Sequence, residues 1–227
     1  MYLRLRKFAF NIGCFGFLIA PLFAAAQPDL QLRAGFTVKH NFTQRIETSV
    51  NYQNRREANL ALFTGHVFNL NFDYELSSKF SLGSSYRLSV YDASNYWSKR
   101  HRGHIEASYK FKVNPLTITL RSRLQAGVQD VMSSEKGKLP TVYNRNRANV
   151  KLSTSGFWSP FARVEQFLLI KNADERFKFA RMRYTLGLEY APNRLNSFEI
   201  GAFLQNKYGG DGTSQSVVVL INYSITI

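Results

Sequence analysis

The chain has 227 residues, room for one barrel or one ordinary domain, and nothing in it demands two. Hydrophobic residues make up 44% and aromatics 15%, with 19 Phe and 12 Tyr, a balance that suits a β-rich wall. Beyond the N-terminus no stretch supplies the roughly 18 uninterrupted apolar residues of a spanning helix, so membrane insertion would have to proceed as a barrel. The formal charge of +15 raises the question of nucleic acid, but an exported address argues against it.

Residues 1–26 read as a signal peptide. Arg4, Arg6 and Lys7 form a basic start, Phe8 to Phe23 an apolar core, and Ala24-Ala25-Ala26 a cleavage site before Gln27. The expected mature domain is therefore 27–227. Cys14 faintly suggests a lipoprotein acceptor, but Asn11 stands where an apolar residue belongs and the apolar core runs on past the cysteine. Removing this segment lowers the formal charge from +15 to +12 and leaves no cysteine. Neither a disulfide framework nor a thiolate metal site is then expected, and no metal or cofactor is implied.

From residue 45 onward, period-two alternation recurs in segment after segment, the mark of strands with two unlike faces. His66, Phe68, Leu70, Phe72, Tyr74 and Leu76 share one face and Asn69, Asn71, Asp73 and Glu75 the other. After a turn at 77–79, Phe80, Leu82, Tyr86, Leu88 and Val90 alternate with Ser81, Gly83, Ser85, Arg87 and Ser89. The pattern continues to Val217, Val219, Ile221, Tyr223, Ile225 and Ile227. Amphipathic strands of about ten residues predict an all-β protein, a closed antiparallel transmembrane β-barrel.

Connections look short near 77–79, 112–114, 153–158 and 191–195, and longer and polar near 54–63, 92–100, 128–142, 171–177 and 208–214. Short periplasmic turns with longer outer loops would leave the C-terminus in the periplasm. Ten strands are counted from residue 45, with twelve as the alternative. Leu30 to His40 also alternates and breaks the even parity; it reads as a short strand, an in-lumen segment or a periplasmic extension.

Several segments carry a family likeness: QNRRE, NLNFDYELSSKFSLGSSYR, YNRNRANVKL, SPFARVEQF, RYTLGLEYAPN and the terminal SVVVLINYSITI. In order and spacing the chain resembles the uncharacterised outer-membrane β-barrels called domain of unknown function 2490. The resemblance implies a Gram-negative outer-membrane barrel and supplies no activity. Outer-membrane barrels often close on an aromatic residue, whereas this chain ends on Ile227, with Tyr223 four positions earlier.

The polar face carries the chemistry. Arg87, Arg102, Arg121, Arg123, Arg145, Arg147, Arg163, Arg181 and Arg183 are expected in the lumen, with Glu47, Asp73, Glu75, Glu106, Glu165, Glu189 and Glu199. Such a set either lines an anion-preferring, porin-like passage or fills the interior with mutually satisfied ion pairs. His104, Glu106 and Ser108 share a face, but residues two apart on a strand are about 6.6–7 Å apart, too far for a nucleophile and base. No catalytic set is assigned.

Tyr96 and Trp97 with Lys99, Arg100, His101 and Arg102 suit an aromatic belt with cationic neighbours, or a contact to lipopolysaccharide phosphates. The Gly209-Gly210-Asp211-Gly212 run reads as a loop tip, and the patterns at Asn41 and Asn222 mean little in a bacterial barrel. The expectation is a non-catalytic outer-membrane protein, either a structural and surface-interaction barrel or a narrow anion-preferring conduit. The alternatives are a lipid-active outer-membrane enzyme and, for the fold, a soluble β-sandwich. Its expected partners are outer-membrane lipids, lipopolysaccharide and the barrel-assembly machinery.

Overall fold

A computed structural model describes residues 29–57, 60, 62–93, 95–132, 134–208 and 213–227. The signal peptide with its cleavage site, Cys14 and the 209–212 run lie outside the described residues. Eleven strands follow in order: β1 (Asp29–Asn41), β2 (Ile46–Glu57), β3 (Leu62–Glu75), β4 (Phe80–Asp92), β5 (Trp97–Val113), β6 (Leu116–Gln129), β7 (Thr141–Leu152), β8 (Trp158–Lys171), β9 (Arg176–Tyr190), β10 (Asn196–Tyr208) and β11 (Thr213–Thr226). A single helical turn, α1 (Glu135–Lys138), precedes β7.

Each strand pairs with its sequence neighbours, and β1 pairs with β11 to close the barrel. The segment that broke the parity, Leu30 to His40, is the closing strand. The count is thus eleven, beside the expected ten. An odd number leaves the first and last strands pointing the same way, so the seam is the one parallel pair in an otherwise antiparallel wall. Its register runs unbroken from Asp29↔Ser216 to Lys39↔Thr226. The alternation of the two strands is in phase: Leu32, Phe36 and Val38 meet Val219, Tyr223 and Ile225. Closure leaves no strand edge exposed.

One mouth, the turn end, carries the links 42–45, 76–79, 114–115, 153–157 and 191–195; the other, the loop end, carries 130–140 and the remaining links. β1 starts at the loop end and β11 finishes at the turn end, so the outermost described residues lie at opposite mouths, not on one side as an even count requires. The polar links expected near 54–63, 92–100, 171–177 and 208–214 also shrink. β2 runs on to Glu57 and β3 resumes at Leu62, β4 and β5 flank 93–96, and β8 and β9 flank 172–175. Charged residues such as Arg55, Lys99 and Arg176 stay in the ladder. Polarity there reflects emergence from the apolar zone, because a ladder needs only backbone groups.

The outer wall is apolar. Leu70, Ile105, Leu120, Val164, Ile200 and Ile221 point outward and are substantially exposed. Two sets of rings bound this wall. At the turn end, Trp158 meets Tyr190 at 4.5 Å, Phe198 meets Tyr223 at 4.6 Å and Phe36 meets Tyr223 at 5.6 Å, a run that crosses the seam. At the loop end, Phe63 meets His66 and Trp97, and Phe179 meets Tyr208. From Phe198 to Tyr208 on β10, at about 3.4 Å per residue and about 40° of tilt, the two belts stand about 26 Å apart.

Inside, small residues make room for large ones. A Cβ on Gly187 of β9 would strike the Phe161 ring and approach the Ile200 carbonyl to 2.9 Å. Replacing Gly187 by Ala is expected to cost about 1–3 kcal/mol through overpacking. A denaturant midpoint would register it, and adding Phe161→Leu should recover part of the loss.

Candidate functional site

The inward face of the wall carries the expected charges. Buried inward side chains come from all round the barrel, among them Thr37 on β1, Ser89 on β4, Arg121 on β6, Glu165 on β8, Phe203 on β10 and Val218 on β11. At mid-height the organising group is Glu165, only 4% exposed. Arg145 donates to both of its oxygens at 2.9 Å, Arg121 donates to Oε1, and Arg183 lies 3.5 Å from Oε2. Arg121 also reaches Glu106 at 3.5 Å, and Arg123 pairs with that same carboxylate. Two glutamates thus bind four arginines from β6, β7 and β9. A carboxylate can accept from several guanidinium forks at once, and the charge-assisted bonds that result are the strong ones.

Other members of the expected set pair lower, toward the turn end. Arg163 grips Glu199 with two bonds of 2.9 and 2.8 Å, Lys151 pairs with Glu189 at 2.8 Å, and Lys39 with Glu47 at 3.3 Å. Arg181 donates to Gln205 at 3.3 Å. Arg87 donates to Asn69. Among the described residues, no carboxylate lies within ion-pair distance of Arg87, Arg102 or Arg147, so this part of the set is not brought into the pairs. His104 sits 3.6 Å from Glu106, which Arg121 and Arg123 already hold; Ser108 is two residues further along β5.

Two inner features escape a reading by charge alone. Phe161, Phe167 and Phe203 also point inward, and guanidiniums lie over their rings: Arg163 at 4.0 Å over Phe161, Arg145 at 4.4 Å over Phe167, and Arg183 at 4.2 Å over Phe203. Such faces attract cations and sheathe their apolar stems. Their period-two phase with Arg163, Glu165 and Gln205 was the available signal. The second feature is an amide belt across the seam. Asn69 donates to Asn51 at 2.7 Å, Asn51 to Thr37 at 2.8 Å, and Asn222 to Thr37 at 3.3 Å. The belt links β3, β2, β1 and β11.

At the loop end the interior opens into a cavity of about 690 Å³ lined by Tyr96, Arg100, Arg102, Gln125, Gln129 and Tyr143, with α1 above it. Asp130 anchors the loop that carries α1: its carboxylate accepts from the Ser98 hydroxyl and the Lys99 amide, each at 2.8 Å. Burial nudges its acidity toward the neutral form, but the bonds from Ser98, Lys99 and Gln129 outweigh this and hold the carboxyl below its ordinary range.

A closed all-β wall with this order of segments meets the family described as Protein of unknown function (DUF2490), which matches residues 30–216. The chain belongs to that family. The match begins in the closing strand β1, takes in every hairpin of the DUF2490 barrel from β1 to β10, and ends at the start of β11. No curated protein matches the chain. The family carries no assigned activity, and what the DUF2490 barrel does must be argued from its wall and its interior.

Proposed function

We propose that the DUF2490 barrel is an integral outer-membrane protein with a sealed interior, acting as a structural and surface-interaction protein without catalytic activity. The observation that carries this reading is the apolar outer wall bounded by two aromatic belts. Their separation of about 26 Å matches the apolar band of about 25 Å seen on outer-membrane barrels, whose girdles sit at the two interfaces. In water such a wall would be a very large exposed apolar patch.

The sealed interior is supported by the Glu165 layer. Arg121, Arg145 and Glu165 are each less than 9% exposed, and Val67, Phe203 and Val218, also inside the wall, are almost fully buried. An eleven-stranded wall has more room than the roughly eight strands that side chains just fill, and long arginines stretched across Phe rings account for the difference. With the 130–140 loop facing outward, Phe63 and Trp97 meet the outer leaflet, and the proposed surface partners are lipopolysaccharide and outer-membrane lipids. Insertion would depend on the barrel-assembly machinery.

The conduit reading keeps one point in its favour, the arginine-lined cavity at the loop end. Planar-bilayer recordings of the refolded full chain decide between the two: silence at neutral pH is expected, and a steady anion-selective conductance would sink the sealed-interior reading. Folded barrel that migrates differently before and after boiling would establish the membrane-barrel state independently.

A further inference from the structure

The pairs that neutralise the interior lie at mid-height and toward the turn end, while in the loop-end half Arg87 and Arg102 stay outside them; the carboxylate that lines the cavity there, Asp130, is held by Ser98 and Lys99. Arg87 on β4 stands opposite Arg102 on β5 in the ladder. The charges that bear most on Arg87 are other arginines, Arg55, Arg102, Arg145 and Arg123; for Arg102 they include Arg100, Arg145 and Arg55. Arg33 on β1 has Arg55 and Arg183 as its strongest charged neighbours, with Glu57 weaker. None of Arg33, Arg87 and Arg102 forms an ion pair with a carboxylate among the described residues. All three are half-buried, and of them Arg102 lines the loop-end cavity, beside Arg100.

The donors are also held in place. Arg100 donates its Nε to Gln129 at 3.0 Å, and Gln129 in turn donates to Ser98 at 3.0 Å. Arg55 donates to the Tyr91 hydroxyl at 2.9 Å, and the Tyr91 ring has the Arg55 and Arg100 guanidiniums at 5.9 and 5.8 Å. Gly127, the ladder partner of Arg102 on β6, carries no side chain to fill the space beside it. Unpaired like charges out of bulk water are costly, and a concave wall with an excess of one sign, here Arg100, Arg102 and Lys136 against Asp130, concentrates counter-ions. Planar forks suit an anion with several oxygens better than a monatomic one. A cavity of about 690 Å³ holds a small phosphorylated molecule.

We propose that the loop-end vestibule binds a multiply charged phosphate-class oxyanion, with Arg100 and Arg102 as its guanidinium donors and Arg87, beside Arg102 in the ladder, adding its charge. This rests on the interior being sealed below, so that the anion is held and not passed. The test uses the refolded full chain in neutral detergent, with inorganic pyrophosphate as probe and sodium chloride at matched ionic strength as control. Pyrophosphate should raise the unfolding midpoint in a saturable way, and calorimetry should show that Arg102→Gln weakens binding about tenfold, the loss of one charged hydrogen bond, and that Arg87→Gln weakens it by a smaller factor through the lost neighbouring charge. Lys79→Gln at the far mouth should bind as the parent does.

The same two substitutions should raise the midpoint without ligand, since each removes a repelled charge; a merely structural arginine would lower it. Competition between pyrophosphate and mixed micelles containing a phosphate-headgroup lipid would assign the anion to a headgroup, and its absence would assign it to a free oxyanion. A midpoint that follows ionic strength alone, or variants that bind pyrophosphate as the parent does, would overturn the proposal. Heat-dependent migration and bilayer silence would be untouched by that result, so failure of the site and failure of the membrane reading are separable.

Discussion

Glu165→Gln is expected to lower the unfolding free energy of the barrel by about 3–5 kcal/mol, the range for removing one partner from a buried charge cluster. Glu165 is the common acceptor for Arg121, Arg145 and Arg183, so neutralising it leaves three guanidiniums facing one another with only Glu106 nearby. The amide keeps the shape, which makes the loss electrostatic. Glu189→Gln serves as the comparison: that residue pairs with Lys151 where both are about one-third to one-quarter exposed, and solvent screening reduces its expected cost to about 0–1 kcal/mol. Urea titration of the folded protein in detergent measures both. Equal, small losses would mean that the Glu165 layer does not organise the interior.

The second large effect concerns the outside. Leu70 lies at the centre of β3, points outward between Val50 and Tyr86, and is 57% exposed. On an aqueous surface Leu70→Arg would fall within about 0.5 kcal/mol of the parent. At the midplane of a bilayer the same change is expected to cost about 2–4 kcal/mol. Reversible folding into lipid vesicles, followed by denaturant titration, distinguishes these outcomes. A loss confined to the smaller range would remove the membrane from the reading of the outer wall, whatever the interior does. Repeating the change at Leu62, by the loop-end rim, should give a smaller loss, because the cost falls toward the interface.

The fold was largely legible because alternation is local. Leu70 against Asn69, or Ile200 against Glu199, fixes which side chain goes out and which in without reference to any other strand, since successive residues on a strand point to opposite faces. The arginines and glutamates of the interior were found by that same phase. Strand ends were harder: Arg55, Lys99 and Arg176 look like loop residues, yet their backbone groups continue the ladder.

The sequence by itself determined an all-β chain, two unlike faces and an interior rich in arginine, because each of these follows from neighbouring residues and the two-residue period. Tertiary structure decided the rest. That Leu30 to His40 closes the wall in parallel with β11 depends on two segments at opposite ends of the chain meeting in register. That Glu165 gathers arginines from three strands, while Arg87 and Arg102 are left to each other, depends on the register of each hairpin and on how far long side chains reach across the lumen. Composition tells how many charges the interior holds, and only the closed barrel sets which of them find a partner.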